Sequence, residues 1–274
     1  SLRYRGGGGY FADLAASDLG IGSRSVAARS GREGLYTLRL GYREIPRHLS
    51  DDAMTPFLGS GSGVLTLAPS SALQPVELGF KQSRLDLGAS WIGTANWTYR
   101  VSLRHDVRDG TQRTAGSFYL NAAQLPAPVD HVTDQLEVAV SYASRRLQAN
   151  LAYQVSLFRN GQESLTWANP FPPAPGAGSG QLALAPDNEF HQILGSVGYE
   201  LAPKIRASAD FAVGRMTQDA AFLAPTTNLG LPVTLADLPA ASLDGRVDTF
   251  NGSVRLTAAP LDGLRVNASY TRDL

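Results

Sequence analysis

The chain has 274 residues, with 24 basic and 24 acidic side chains, no Cys, 28 Gly and 16 Pro. A zero formal charge argues against a nucleic-acid surface, which carries a basic excess, and the lack of Cys excludes disulfides, thiolate metal sites and covalent haem attachment through Cys-x-x-Cys-His. No window approaches 18 consecutive apolar residues, so no transmembrane helix is expected.

In chain order, the first feature is the Gly run Gly6–Gly9. No helix or Walker-type Lys follows it, so it reads as a flexible loop rather than a phosphate cradle. A weak alternating run spans Ser23–Ser30, and Gly31–Gly34 forms a short turn. Leu35–Ile45 then alternates strictly: Tyr36, Leu38, Leu40 and Tyr42 face one way, and Thr37, Arg39, Gly41 and Arg43 the other. After a long connection over 46–82, Leu85, Leu87, Ala89 and Trp91 oppose Arg84, Asp86, Gly88 and Ser90. The turn Gly93–Asn96 leads into a run in which Trp97, Tyr99, Val101, Leu103 and His105 oppose Arg100, Ser102, Arg104 and Asp106.

A second long connection is expected over 109–131. Beyond it Leu136, Val138, Val140 and Tyr142 oppose Glu137 and Ser141. After a turn at 144–146, Leu147 to Leu157 alternates with Gln148, Asn150, Gln154 and Ser156. A third long connection, over 160–189, contains the rigid aromatic stretch Trp167–Pro173, read as a loop packing on the rim of its own barrel. Ile193, Val197 and Tyr199 oppose Gln192, Ser196 and Glu200; the short turn Leu201–Lys204 follows; Ile205 to Val213 opposes Arg206, Ser208 and Asp210. A fourth long connection covers 217–245. Phe250, Val254 and Leu256 then oppose Ser253 and Arg255, the turn Ala259–Gly263 follows, and Leu264 to Tyr270 opposes Arg265, Asn267 and Ser269.

This makes about ten strands of roughly 9 to 12 residues, the reach that crosses a bilayer at a tilt. Short and long connections alternate, as short periplasmic turns and longer extracellular loops do in outer-membrane barrels. A soluble sandwich would show shorter strands with tight turns at both ends. The expectation is an all-β, antiparallel transmembrane β-barrel, integral to a bacterial outer membrane and in contact with lipid. Residues 1–274 form one barrel domain, and the chain stops at Leu274 inside an alternating run, as a fragment of the full wall would.

Tyr36, Trp91, Trp97, Tyr99, Tyr142 and Tyr199 fall near the short-turn ends, where an interfacial aromatic girdle belongs. The polar face carries Arg39, Arg43, Arg84, Asp86, Arg100, Arg104, Glu137, Arg206, Asp210, Arg255 and Arg265. A midplane Arg facing lipid costs about 2–4 kcal/mol, so these residues line water or meet a partner. Residue chemistry alone leaves a hydrated channel and a wall around a protein both open. His48, His105, His131 and His191 have no metal-binding spacing, with His105 and His191 on the apolar side near the long-loop ends. Nothing resembles a Gly-x-Ser-x-Gly elbow, and no enzyme is expected.

Several segments together resemble the MtrB/PioB family of decahaem-associated outer-membrane barrels: Gly6–Val26, Gly31–Pro46, Thr55–Leu67, Pro128–Tyr142, Trp167–Phe171, Leu184–Gln192 and Ser242–Thr249, in that order. The resemblance implies a barrel of well over ten strands that sheathes a periplasmic multihaem cytochrome c, which carries electrons across the outer membrane, often to an extracellular cytochrome. Haem would then be carried by the partner and not by this chain. The Cys-x-x-Cys found near the N-terminus of some members is absent here. The alternative is a porin with an Arg-lined lumen that passes anionic solutes.

Overall fold

The computed structural model describes residues 1–94, 96–118, 120–171, 177–228, 230–261 and 263–274, without the side chain of Ser71. Ala95 and Asp262, in two of the expected short turns, and Pro172 and Pro173, at the end of the aromatic stretch, lie outside them.

Twelve strands form one antiparallel sheet in chain order. They are β1 (Leu2–Arg5), β2 (Tyr10–Ser17), β3 (Ser25–Arg32), β4 (Tyr36–Thr55), β7 (Gln74–Ile92) and β8 (Trp97–Phe118), then β9 (Asn121–Ala143), β10 (Leu147–Asn160), β13 (Asn188–Ala202), β14 (Ile205–Gln218), β15 (Gly245–Leu261) and β16 (Leu264–Asp273). Four short strands from the long connections form a second sheet in the order β12–β11–β6–β5: β5 (Phe57–Leu58), β6 (Val64–Leu67), β11 (Ser164–Ala168) and β12 (Ser179–Ala183). Within it β11 runs parallel to β6, through Thr166↔Val64 and Trp167↔Leu65.

The sheet corrects the expected count of about ten: β1 and β2 precede the first alternating run and bring it to twelve. Gly6–Gly9 is not a flexible loop but the turn of the β1–β2 hairpin: Gly8 and Gly9 take φ of 72° and 82°, and the Gly6 N–H donates to the Tyr10 carbonyl at 2.8 Å. Positive φ at two successive residues suits Gly because it has no Cβ to clash. In β2 the sequence Ala12, Leu14, Ala15, Ala16 is too uniform for period-two contrast to show.

Two of the four long connections are also shorter than expected, because the strands run on past the alternating zone, while those over 160–189 and 217–245 keep their expected bounds between the strands of the large sheet. The connection expected over 109–131 is almost wholly a hairpin, with β8 and β9 paired continuously out to Phe118↔Asn121. Pro126 and Pro128 argue against a strand in sequence. Here they sit two residues apart, beyond His131↔Asn160, the last β9–β10 pair, where β9 has an open side and a missing N–H costs no ladder bond. The connection over 46–82 keeps β4 as far as Thr55 through register shifts at His48/Ser50 and Ser50/Ala53.

The buried apolar cluster lies in these extensions and not between the membrane-length strands. Phe57, Leu65, Leu165 and Trp167 of the small sheet pack on Ala123, Leu125 and Ala127 of β9, with Leu165 fully buried. Trp167 rests against Gly116 of β8 and Gly180 of β12, where a Cβ on either glycine would strike the indole. Trp167 and Phe171 thus pack on the rim as expected, though Trp167 and Ala168 do so from a strand and not from a loop. Along β8 and β9 the register never slips, so Gly116, Ala123, Leu125 and Ala127 share the side that farther down carries Arg104 and Asp106. The small sheet therefore folds over the polar face at the long-loop end. From the connection after β14, Asn228 ties onto β12 through Ser179, by hydrogen bonds of 2.8 and 2.9 Å.

Candidate functional site: the polar face of the sheet

Strict pairing sorts every side chain of the sheet onto one of two faces. One register row links Tyr36, Trp91, Tyr99, Val140, Leu151, Gly195, Phe211, Gly252 and Arg272. It starts at the short-turn end of β4 and finishes at the far end of β16, so a row perpendicular to the strands climbs from one end of the sheet to the other. Strands that tilt as they go round produce this climb, as in a barrel wall.

On the apolar face the upper limit of the apolar zone moves with that tilt. It is marked by Tyr42 with Glu44 (2.6 Å), His105 with Asp134 (2.6 Å), His191 with Tyr153 (2.7 Å) and Arg215 with Asp248 (2.7 Å). On β14 the zone runs from Ile205 to Val213. Nine residues span roughly 30 Å of strand, or about 23 Å along the normal at a typical tilt near 40°, close to the height of an outer-membrane apolar band. His105 and His191 lie at its edge, where the sequence put them.

The six aromatics all fall on this face at the short-turn end. Trp91 stacks on Tyr99 with centroids 5.3 Å apart, and Trp97 meets Tyr142 at 4.9 Å. Tyr36 is the register partner of Trp91. Tyr199 stands apart, opposite Leu147 and Ala207. In register terms the set steps down from Tyr36, Trp91 and Tyr99 to Trp97 and Tyr142, and again to Tyr199, as one level cut across tilted strands would.

The eleven polar residues singled out in the sequence all fall on the opposite face. The structure brings five of them into contact with partners. Arg104 Nε donates to Asp86 at 2.8 Å, Arg84 Nε donates to Asp106 at 2.8 Å, and Arg206 donates to Gln148 at 2.7 Å. Asp106 is 7% exposed and also accepts from Gln82 Nε2 at 2.6 Å, so burial, the Gln and the Arg hold one conformation. Asp210 accepts a long bond from Ser253, at 3.4 Å. Arg39, Arg43, Arg100 and Glu137 are not brought to any charged partner among the described residues.

Part of the face was missed. β1, β2 and β3 add Arg3, Arg5, Asp13 and Arg29, with Arg5 clamping Asp13 through two bonds of 2.8 and 3.1 Å. Phe11, 8% exposed, lies between the guanidinium groups of Arg5 (5.7 Å) and Arg29 (5.1 Å). The alternation Phe11, Asp13, Ala15, continued into Arg29, was the available signal, and it needed the glycine hairpin to be recognised as a turn. Beyond the apolar zone, His131 faces Arg108 across the β8–β9 pair, and its ring lies tilted against that of Phe158 with centroids 5.3 Å apart. Burial, reinforced by Arg108, pushes its imidazole below the ordinary value. Among the described residues no group of His, Asp and Glu is arranged to hold a metal ion.

Residues 1–272 match the family model "Putative outer membrane beta-barrel porin, MtrB/PioB". A curated relative, Outer membrane protein MtrB of Shewanella baltica (strain OS185), is 30% identical over 284 residues; the match covers 98% of this chain but only 40% of the relative. Among solved structures, OmpT of Vibrio cholerae overlaps 98% of this chain and 63% of its own at 10% identity and a TM-score of 0.40. The toluene transporter TodX of Pseudomonas putida overlaps 97% and 70% at 11% identity and a TM-score of 0.36. The two-faced antiparallel wall and the match along almost its whole length agree: this chain belongs to the MtrB/PioB family of outer-membrane β-barrel proteins.

Proposed function

We propose that this chain is one domain of the wall of an outer-membrane barrel that sheathes a multihaem c-type cytochrome, and so supports electron transfer across the outer membrane. The observation that carries the reading is the family match over residues 1–272, with a relative two and a half times as long as the part it shares with this chain. Twelve strands are few for a lumen wide enough to hold a protein, since barrel diameter grows roughly linearly with strand number. The rest of the wall would come from the remaining length seen in the relative. The apolar face meets lipid, its six aromatics sit at the periplasmic interface, and the polar face lines the lumen, where it solvates and holds the partner. An extracellular cytochrome would receive or deliver electrons at the long-loop end.

Haem belongs to the partner in this reading. With no Cys in the chain, covalent attachment here is chemically impossible, and the wall's own contribution is shape, hydrogen bonding and charge. The chain is assigned no catalytic role; its family is one of barrels and not of enzymes. A second reading, an anion-passing porin, draws on the unpaired Arg39, Arg43 and Arg100 of the polar face. Purifying the full-length barrel from its native membrane separates the two. The sheath predicts a haem-staining protein in stoichiometric amount and a cytochrome absorption spectrum. A colourless barrel that conducts small anions would refute it and establish the porin.

A further inference from the structure

The polar face is not evenly charged. On β1–β9 the three Asp residues of the membrane-length zone are all engaged, Asp13 by Arg5, Asp86 by Arg104 and Asp106 by Arg84. On β10–β16 Arg206, Arg255 and Arg265 are balanced by Glu200, Asp210 and Asp273. The excess positive charge therefore gathers on one side of the wall, although the chain as a whole is neutral.

Register sharpens this. Arg29 is the direct cross-strand partner of Arg39, and Arg43 of Arg84. Directly opposed residues have Cβ atoms about 4.5–5.5 Å apart, where like charges destabilise a sheet. Arg39 faces Gly88 directly on its other side, and the nearest acid of β7, Asp86 on the diagonal, is already paired with Arg104. The Arg29 guanidinium lies over the Phe11 ring, 5.1 Å from its centroid, and its cross-strand partner on β2 is Asp13, which Arg5 already clamps. Arg29 and Arg39 line a cleft of about 760 Å³ on the polar face, together with Arg3, Arg5, Arg104 and the acids Asp13, Asp86 and Glu137. Five arginines meet three acids there, two of which are already paired. A concave, preorganised cationic site kept at a cost in sheet stability is the arrangement expected where an anion is to be received.

We propose that this cleft, centred on Arg29 and Arg39, receives a carboxylate-bearing segment of the protein held inside the barrel and thereby fixes that protein's rotational orientation. The inference rests on the sheath reading for the existence of an enclosed protein and adds to it the chemistry of the contacting surface: Asp- or Glu-rich, presented to β1–β4. The balanced wall of β10–β16 offers no such attraction, so the partner would sit with its acidic side toward one arc of the barrel.

The test uses the full-length barrel purified with its partners in three forms: wild type, R29Q/R39Q, and R159Q/R272Q. The last removes the same charge from the opposite face. Haem retained per barrel is followed during washes at rising NaCl, and folded barrel is scored by heat-modifiable mobility in SDS gels. The expected result is that R29Q/R39Q loses haem at roughly threefold lower NaCl than wild type, because screened ion pairs dominate the difference. R159Q/R272Q follows wild type, and the folded fraction is unchanged in all three. Equal haem retention in R29Q/R39Q and wild type overturns the proposal and leaves the sheath standing. A wild-type barrel without haem overturns the sheath instead. In that case the same proteins in planar bilayers under a KCl gradient decide the cleft. Anion selectivity that collapses only in R29Q/R39Q would then replace the proposal with a general anion-attracting cleft, and an unchanged reversal potential would remove the cleft as an anion site altogether.

Discussion

The assignment of the two faces can be tested with neighbouring residues of β8. Val101 stands in the middle of the apolar zone, between its partners Ala89 and Val138, while Ser102 lies on the polar face between Gly88 and Glu137. Val101→Arg places a guanidinium near the middle of the apolar band, where the cost is about 2–4 kcal/mol. At 1.4 kcal/mol per decade, that is roughly a 30- to 700-fold loss in the folding equilibrium. Ser102→Arg gains the unpaired Glu137 as a neighbour and has only Gly88 on the other side, so its effect stays within about 0.5 kcal/mol. The assay is reversible urea unfolding of the full-length barrel in short-chain lipid vesicles, followed by Trp fluorescence, with heat-modifiability as a check on the folded state. Equal costs at the two positions, or a larger cost at Ser102, would refute the face assignment, because adjacent residues of a strand cannot share a face.

Three further outcomes follow from particular contacts. Gly116→Ala drives a methyl into the Trp167 indole and costs about 1–3 kcal/mol of packing in the small sheet; limited proteolysis should then cut residues 160–188 faster while the barrel stays heat-modifiable, and unchanged protection would contradict the packing. The Trp91–Tyr99 stack should show a coupling of about 0.5–1.5 kcal/mol in a double-mutant cycle of alanine variants, with zero coupling as the contrary result. For His131 the folded-state value is depressed by burial first and Arg108 second, so the unfolded state binds the proton more readily. Stability of the outer β8–β9 hairpin is thus complete above the ordinary imidazole value and declines as pH falls through it toward the lower folded value. Histidine hydrogen–deuterium exchange reads that value directly, and one at or above the ordinary imidazole range would contradict the buried placement.

The membrane-length strands were legible because their chemistry alternates at the strand period. From Tyr36 to Arg43 every second residue is apolar, and the side chains fall in the structure on the faces that pattern assigns. Arg–Asp pairing was legible only as composition: Arg104 and Asp86 are 18 positions apart, and their contact depends on β7–β8 register. Three features hid from local reading for separate physical reasons. β2 is dominated by small residues with little contrast between faces. The outer part of β9 contains Pro126 and Pro128, acceptable only because β10 has already ended. The small sheet depends on the parallel pairing of Thr166 with Val64, about a hundred residues apart in sequence, which no local pattern encodes. The missing first two strands had a functional consequence, since they carry Arg3, Arg5, Asp13 and the Phe11 ring over which Arg29 lies.

The central claim, that the polar face encloses a haem protein, is tested most directly by placing a photo-crosslinking amino acid at Ser102 and, separately, at Val101 of the full-length barrel in living cells. Illumination should yield a haem-staining adduct from position 102 and only lipid or no adduct from position 101. A folded barrel that gives no haem-staining adduct from position 102, or gives one from position 101 alone, would contradict the account.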